Sequence, residues 1–164
     1  MNAIYSGDVY ITTKHHKYHL KNAGTDVLFK LMASVLTGGT ISRNSLPTYI
    51  QLRKGKADTL TLGVNPIKDN CLLYNPILVS KHMELKTTRT SAKWTTVITG
   101  ILVPDNISGK LENNTDEGYH FVIMDNDRYP LAAVDLNKIN IAELQNGEET
   151  LIQWNLSFSN GEKT

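Results

Sequence analysis

The sequence predicts an α+β fold that is mostly β: an antiparallel β-sandwich or barrel-like arrangement with one main helix packed on it. Three observations predict it. Short β-prone runs, about seven or eight of them, alternate with turn residues along the chain. A single stretch, Asn22 to Thr40 (NAGTDVLFKLMASVLTGGT), has helical periodicity. The closing run Thr150 to Phe158 alternates strictly, with Ile152, Trp154, Leu156 and Phe158 on one face and Gln153, Asn155 and Ser157 on the other. That is the pattern of a half-buried antiparallel strand.

Taken in order, residues 5–13 (YSGDVYITT) are β-branched and aromatic and predict a strand. Lys14-His15-His16-Lys17 turns the chain, and Tyr18 to Lys21 leads into the helix. There, Thr25 suits an N-cap, because its hydroxyl can accept from an otherwise unpaired backbone N–H. Asp26 sits in the first turn, where the helix dipole favours negative charge. Val27, Leu28, Leu31, Met32, Val35 and Leu36 fall on one face, predicting a helix over about residues 26–36. Gly38 and Gly39 end it, since glycine takes the left-handed conformation at no steric cost.

Ile41 to Leu46 reads as a polar connector, Thr48 to Leu52 as a strand, and Arg53-Lys54-Gly55-Lys56 as a charged turn. Thr59 to Val64 is a further strand ended by Asn65-Pro66. Residues 65–80 read as an irregular loop. A hairpin follows, pairing Lys86 to Thr90 with Trp94 to Val103 across Ser91-Ala92-Lys93. Pro104 to Glu117 (PDNISGKLENNTDE) is polar and reads as a flexible or exposed excursion. Tyr119 to Met124 and Leu131 to Val134 are strands joined by a turn at Asp125-Asn126-Asp127-Arg128. Leu136 to Leu144 fits either a strand or a helical turn, and Asn146-Gly147 is a turn dipeptide. The tail, 159–164, is polar.

At 164 residues, one domain spanning 1–164 is the default. The formal net charge of +1 supplies no electrostatic argument for nucleic acid or membrane binding. No apolar run approaches the roughly 20 residues that cross a bilayer. The N-terminus carries no charged region followed by an apolar one, so synthesis and folding in a cytoplasm are expected. Without a secretion signal, the sequons at Asn106, Asn113 and Asn155 read as chance in an Asn- and Thr-rich chain. The one cysteine, Cys71, reads as a small half-buried apolar residue rather than a nucleophile.

Several residues invite a chemical reading. His15, His16 and His19 are spaced as metal ligands, but zinc needs three or four donors and no Cys or carboxylate at matched spacing completes the set. They read as a solvated basic edge. Asp125 and Asp127, with Asp116 and Glu117 upstream, look like calcium ligands in isolation; Arg128, Tyr129 and Pro130 break that pattern and leave a hairpin turn. Gly38-Gly39 follows its helix, whereas phosphate loops precede one. No nucleophile-elbow or ordered triad motif occurs. Arg53, Lys54 and Lys56, with the basic stretch at 14–17, lack the basic excess and aromatic platform of a nucleic-acid reader. Trp94 and Trp154 lie in apolar alternation and are expected in the core. The expectation is therefore of no enzyme, no catalytic residues, no cofactor and no metal.

Two segments resemble small structural proteins of tailed bacteriophages. One runs from Asn22-Ala23-Gly24-Thr25 through Leu28-Phe29 and Leu36-Thr37-Gly38 to Pro47-Thr48-Tyr49-Ile50-Gln51-Leu52. The other is the closing Ile152 to Asn160. The fibre or baseplate extension of some such proteins is missing here, so the place in the particle stays open. The resemblance implies a virion subunit of the tail, collar, baseplate, fibre adaptor or capsid surface, made in the host cytoplasm. It implies partners that are copies of itself and other virion proteins. The polar 104–117 excursion and the terminal segments are expected to engage those partners, so that deleting 104–117 would impair assembly and spare the fold. The alternative expectation is a carbohydrate- or ligand-binding sandwich module.

Overall fold

The computed structural model describes residues 4–39, 43–57, 65–68 and 71–159. Within them the chain runs β1 (Ile4–Thr12), β2 (Lys17–Lys21), β3 (Ala23–Gly24), α1 (Asp26–Leu36), β4 (Tyr49–Lys54), β5 (Ile77–Leu78), β6 (Ser80–Thr87), β7 (Ala92–Leu102), β8 (Tyr119–Met124), β9 (Pro130–Asp135) and β10 (Thr150–Ser159). The strands form two five-stranded antiparallel sheets, ordered β2-β1-β10-β7-β6 and β3-β9-β8-β4-β5. The fold is α+β and mostly β, as the turn-punctuated strands predict.

The first sheet is set by alternation. Trp154 pairs with Val9 on one side and Ile98 on the other, and Ile152 pairs with Ile11 and Gly100, so one face of three strands is apolar. The second sheet contributes Ile50, Leu52, Phe121, Ile123 and Val134 to the same hydrophobic core. The sheets approach closely at Gly100, where an added Cβ would lie 2.9 Å from Ile77 Cγ2 and 3.1 Å from Ile50 Cδ1. The chain changes sheets at Asn22, whose backbone N–H donates to the Gly7 carbonyl at 3.1 Å. Gly7 must stay glycine there, because the Asn22 side chain occupies the Cβ position.

The helix starts where its cap predicts. Thr25 Oγ1 accepts from the Leu28 N–H at 3.4 Å and donates to the Pro130 carbonyl at 2.6 Å. The Thr25 N–H donates to the Leu131 carbonyl at 3.0 Å. One buried threonine therefore both caps α1 and ties it to β9. Of the apolar stripe, Leu28 is buried, Val27, Leu31 and Met32 are half-buried, and Val35 is exposed. The helix rests on the margin of the core.

Several local expectations need correction. Tyr18 to Lys21 forms a strand, paired with β1 from Thr12↔Lys17 to Asp8↔Lys21. Arg53 and Lys54 belong to β4, and only Gly55 onward turns. Within 65–80, Ile77–Leu78 pairs with β4, and Cys71 and Leu73 form single bridges. Cys71 is half-buried, as expected. The expected strand at Thr59 to Val64, residue 40, residues 41–42 of the connector and the tail beyond Ser159 lie outside the described residues. The hairpin begins at Ser80, and its turn is Thr88 to Ser91, where the Thr88 N–H donates to the Ser91 carbonyl at 2.8 Å. Leu136 to Leu144 resolves into a 3-10 turn over Ile141–Gln145.

The 104–117 segment is exposed over much of its length, as expected, but it is anchored in the fold at buried residues. Ile107 and Leu111 are core residues. The Ser108 N–H donates to Leu72 O at 2.7 Å, and Gln145 accepts from the Leu111 N–H at 2.6 Å while donating to Gly109 O at 2.7 Å. Asn113 Oδ1 caps the 3-10 turn by accepting the Ile141 N–H at 2.8 Å. The segment looks polar because its apolar anchors are spaced too far apart to signal a strand. Its deletion would remove core side chains and cannot leave the fold intact.

Two substitutions test this packing. Gly100→Ala should lower unfolding free energy by about 1–3 kcal/mol through overpacking, read as a lower urea midpoint. Thr25→Val should cost about 1–2 kcal/mol by removing a cap and a buried carbonyl's donor, while Thr25→Ser should retain most of the stability.

Candidate interaction surface

The basic stretch at 14–21 is where the sequence placed a solvated edge, and the structure neutralises it. Glu143, from the 3-10 turn, reaches the β1–β2 turn. Its Oε1 lies 2.6 Å from His16 Nδ1, and its Oε2 accepts from Tyr18 OH at 3.0 Å and Thr13 Oγ1 at 3.2 Å. Burial acts to raise the Glu143 carboxyl pKa, but the bonds from His16, Tyr18 and Thr13 outweigh it and hold the carboxyl below its usual value. Burial, followed by the same carboxylate, pushes the Tyr18 hydroxyl up. On the outer face of β1 and β2, Asp8 Oδ1 sits 2.7 Å from His19 Nε2 and 2.5 Å from Lys21 Nζ. Burial again acts upward, and these two partners hold Asp8 below the ordinary carboxylate range. Tyr10 stacks on His19 with centroids 4.6 Å apart. Lys14 pairs with Glu148 at 3.1 Å.

The three histidines therefore do not converge. His15 is exposed, His16 serves Glu143, and His19 serves Asp8. Among the described residues, no group of three His, Cys, Asp or Glu side chains is placed to hold a metal ion. Asp125 closes the β8–β9 turn as expected, its Oδ1 accepting from the Asp127 and Tyr129 N–H groups at 2.9 Å each. Its burial raises its pKa against those bonds.

A polar row crosses the outer face of the second sheet. Arg53, His120 and Asp135 are register partners on β4, β8 and β9. His120 Nδ1 lies 2.8 Å from the Gly55 carbonyl, so that nitrogen carries a proton, and Asp135 Oδ1 accepts from the Ala57 N–H at 2.6 Å. Ile67, Val122, Met124 and Ala133 pack beside the row as a small second core. Arg53 is half-buried, and of the expected basic turn Lys54 and Lys56 face solvent. Nothing in primary sequence marks this row, because its members meet only through strand register.

The surface that stays open is the other margin of the first sheet. All eight residues of β6 are exposed. Register places Met83 opposite Thr96 and Leu85 opposite Trp94, on the face that carries Ile98. Here the core face runs past the shared core: Met83 is 68% exposed, Leu85 47% and Trp94 45%. Trp94 is therefore not a core residue, unlike Trp154, which is fully buried. The alternation of Met83 and Leu85 with His82, Glu84 and Lys86 was the available signal for this strand. Beside it, Leu78, Ile101 and Val103 line an open groove of about 530 Å³. A second hollow of about 430 Å³ lies between residues 112–119 and 136–141. No helix among the described residues is long and apolar enough to cross a membrane.

Comparison of the chain with protein families, with curated proteins and with solved structures finds no match.

The carboxylate clamps predict an acid response. Because Asp8 and Glu143 are depressed in the folded state, their stabilisation is complete above the unfolded carboxyl values near about 4 and is lost as pH falls through the folded values. Glu143→Gln should lower the thermal midpoint at neutral pH, and the gap from wild type should narrow as pH falls below about 4, measured by calorimetry across pH.

Proposed function

We propose that this chain is a non-enzymatic assembly subunit that works through protein–protein contacts, and that its assembly is the virion of a tailed bacteriophage. The observation that carries the first half is the open margin at β6, where a full-length edge strand and the apolar side chains of Met83, Leu85 and Trp94 face solvent together. Unpaired strand edges and contiguous apolar surface are costly to leave in water and are the usual marks of a contact surface. The conspicuous ionisable groups lend support, because Asp8 and Glu143 are engaged by donors from neighbouring segments and Asp125 by its own turn, so that they serve as clamps. The second half rests on the resemblance of residues 22–52 and 152–160 to tailed-phage structural proteins. On this reading the chain is made in the host cytoplasm and resides in the tail, collar or baseplate, with capsid decoration as the variant placement. Its partners are copies of itself and other virion proteins, and nucleic acid and membrane are not among them.

Exposure of Trp94 favours one second reading, a carbohydrate-binding sandwich in which its indole stacks on a sugar. The two readings separate cleanly. Light scattering across a concentration range should show discrete association that Trp94→Ser weakens without lowering the thermal midpoint by more than a few degrees. Because Trp154 is fully buried, quenching of indole fluorescence by added saccharides would report Trp94. Quenching with a strictly monomeric mass would overturn the assembly reading in favour of the sugar-binding one.

A further inference from the structure

We propose that β6 pairs antiparallel with β6 of a second copy about a twofold axis at Met83, fusing the two first sheets into one continuous sheet. The proposal rests on the assembly reading above and gives it a surface, a partner and a register.

The choice of edge comes from comparing the sheet margins. Among the described residues the edges are β2, β6, β3 and β5. β3 and β5 are two residues long. β2 is five residues long, and its outer-face His19 and Lys21 are already engaged by Asp8. β6 offers eight residues, exposed on both faces. It carries charges of both signs, and Lys81 is drawn back to donate to the Pro47 carbonyl at 2.7 Å.

The register follows from parity and charge. In an antiparallel pair, opposed residues share a face, so two copies of one strand meet on an axis through a residue of the strand. With Met83 on the axis, His82 opposes the partner's Glu84, Lys81 opposes the partner's Leu85, and Ser80 opposes the partner's Lys86, so that residues 80–86 are all paired. His82 and Glu84 already show the attraction, at 3.0 Å within one chain. An axis at Glu84 sets that carboxylate against its own copy and His82 against lysine, which opposed pairs disfavour. Axes at His82 or Leu85 confine pairing within the strand to residues 80–84 or 83–87. Met83 is the axis that combines a long ladder with hydrogen-bonding partners opposed across it, His82 against Glu84. On the core face it also brings Met83 of the two copies together beside Leu85 and Trp94, covering the apolar margin that each chain leaves exposed.

Cysteine cross-linking reads the register directly. Opposed Cα atoms in an antiparallel pair lie about 4.5–5.5 Å apart, inside the range that a disulfide spans. In this register the two copies of residue 85 are roughly 14 Å apart. Met83→Cys and Leu85→Cys, each in the full chain, would be oxidised with copper–phenanthroline, with wild type controlling for Cys71. The expected result is a covalent dimer from Met83→Cys and little from Leu85→Cys or wild type. Alongside, Glu84→Lys should weaken association roughly tenfold, and adding His82→Glu should restore it; both positions are exposed, so the fold is unaffected. Preferential cross-linking at 85 overturns the register. Absence of cross-links at both positions in a chain that light scattering shows to associate overturns the β6 interface and leaves the assembly reading standing. A wild-type chain that stays monomeric at every concentration, together with Met83→Cys and Leu85→Cys chains that give no cross-linked dimer, overturns the interface, and the assembly reading then stands or falls on the saccharide measurement.

Discussion

Burial of the inner face of β10 is the constraint on which the rest of the structure depends. Ile152, Trp154 and Leu156 project into the core from the middle strand of the first sheet, between β1 and β7. Because side chains alternate across a strand, a slip of one residue would put Gln153 and Asn155 where Trp154 stands. Trp154 is too large to be accommodated elsewhere, so it fixes the register of β10, and the pairings Val9↔Trp154 and Trp154↔Ile98 pass that register to both neighbours. The opposite sheet must then fit the resulting relief. It does so by approaching closely at Gly100, where the first sheet has no side chain, and meeting Ile50 and Ile77 there. Packing at interior density makes such a contact intolerant of even one added methyl.

Around that core, the irregular segments are held by a few polar side chains acting at long range. Glu143 joins the 3-10 turn to the β1–β2 turn, Gln145 and Asn113 join it to the 104–117 segment, and Thr25 joins the helix to β9. Each satisfies backbone or side-chain groups that a sheet ladder leaves unpaired, which is why these loops stay ordered without regular structure. The arrangement also settles the charges. Acidic side chains distant in sequence reach the basic β1–β2 hairpin, so a stretch that looks strongly cationic in the primary sequence is largely compensated in space.

What the sequence disclosed is what depends on near neighbours. Helix α1 was legible from the Thr25 cap and the spacing of Val27 to Leu36, and β10 from its alternation, because both signals lie within a few residues. The fold class followed from the count and spacing of the strands. The failures share one physical cause. Ile107 and Leu111 are single apolar anchors in a polar run, and their burial depends on Leu72 and Gln145, far along the chain. Trp94 follows the same alternation as Trp154, yet it lies past the end of the shared core and stays half-exposed. Alternation tells which face a residue occupies; only the partner sheet decides whether that face is covered. The polar row of Arg53, His120 and Asp135 was invisible for the same reason, and so were the carboxylates that engage His16 and His19.

The margins of the two sheets show how this fold handles its unpaired strand edges. An edge is safe when it is too short to template a partner or when its charges repel every copy alike. β3 and β5 use the first device, and on β2, five residues long, the outward His19 and Lys21 are engaged by Asp8. β6 uses neither, since it is long and carries both signs, with His82, Glu84 and Lys86 on one face and Lys81, Met83 and Leu85 on the other. Charges of one sign exclude all partners, whereas mixed charges exclude most registers and admit those in which opposite signs meet. An edge of that composition is selective where the others are closed. The exposed Trp94 beside it gives the same selection an energetic sense, because burying an aromatic side chain is worth more than the cross-strand pairs that choose its register.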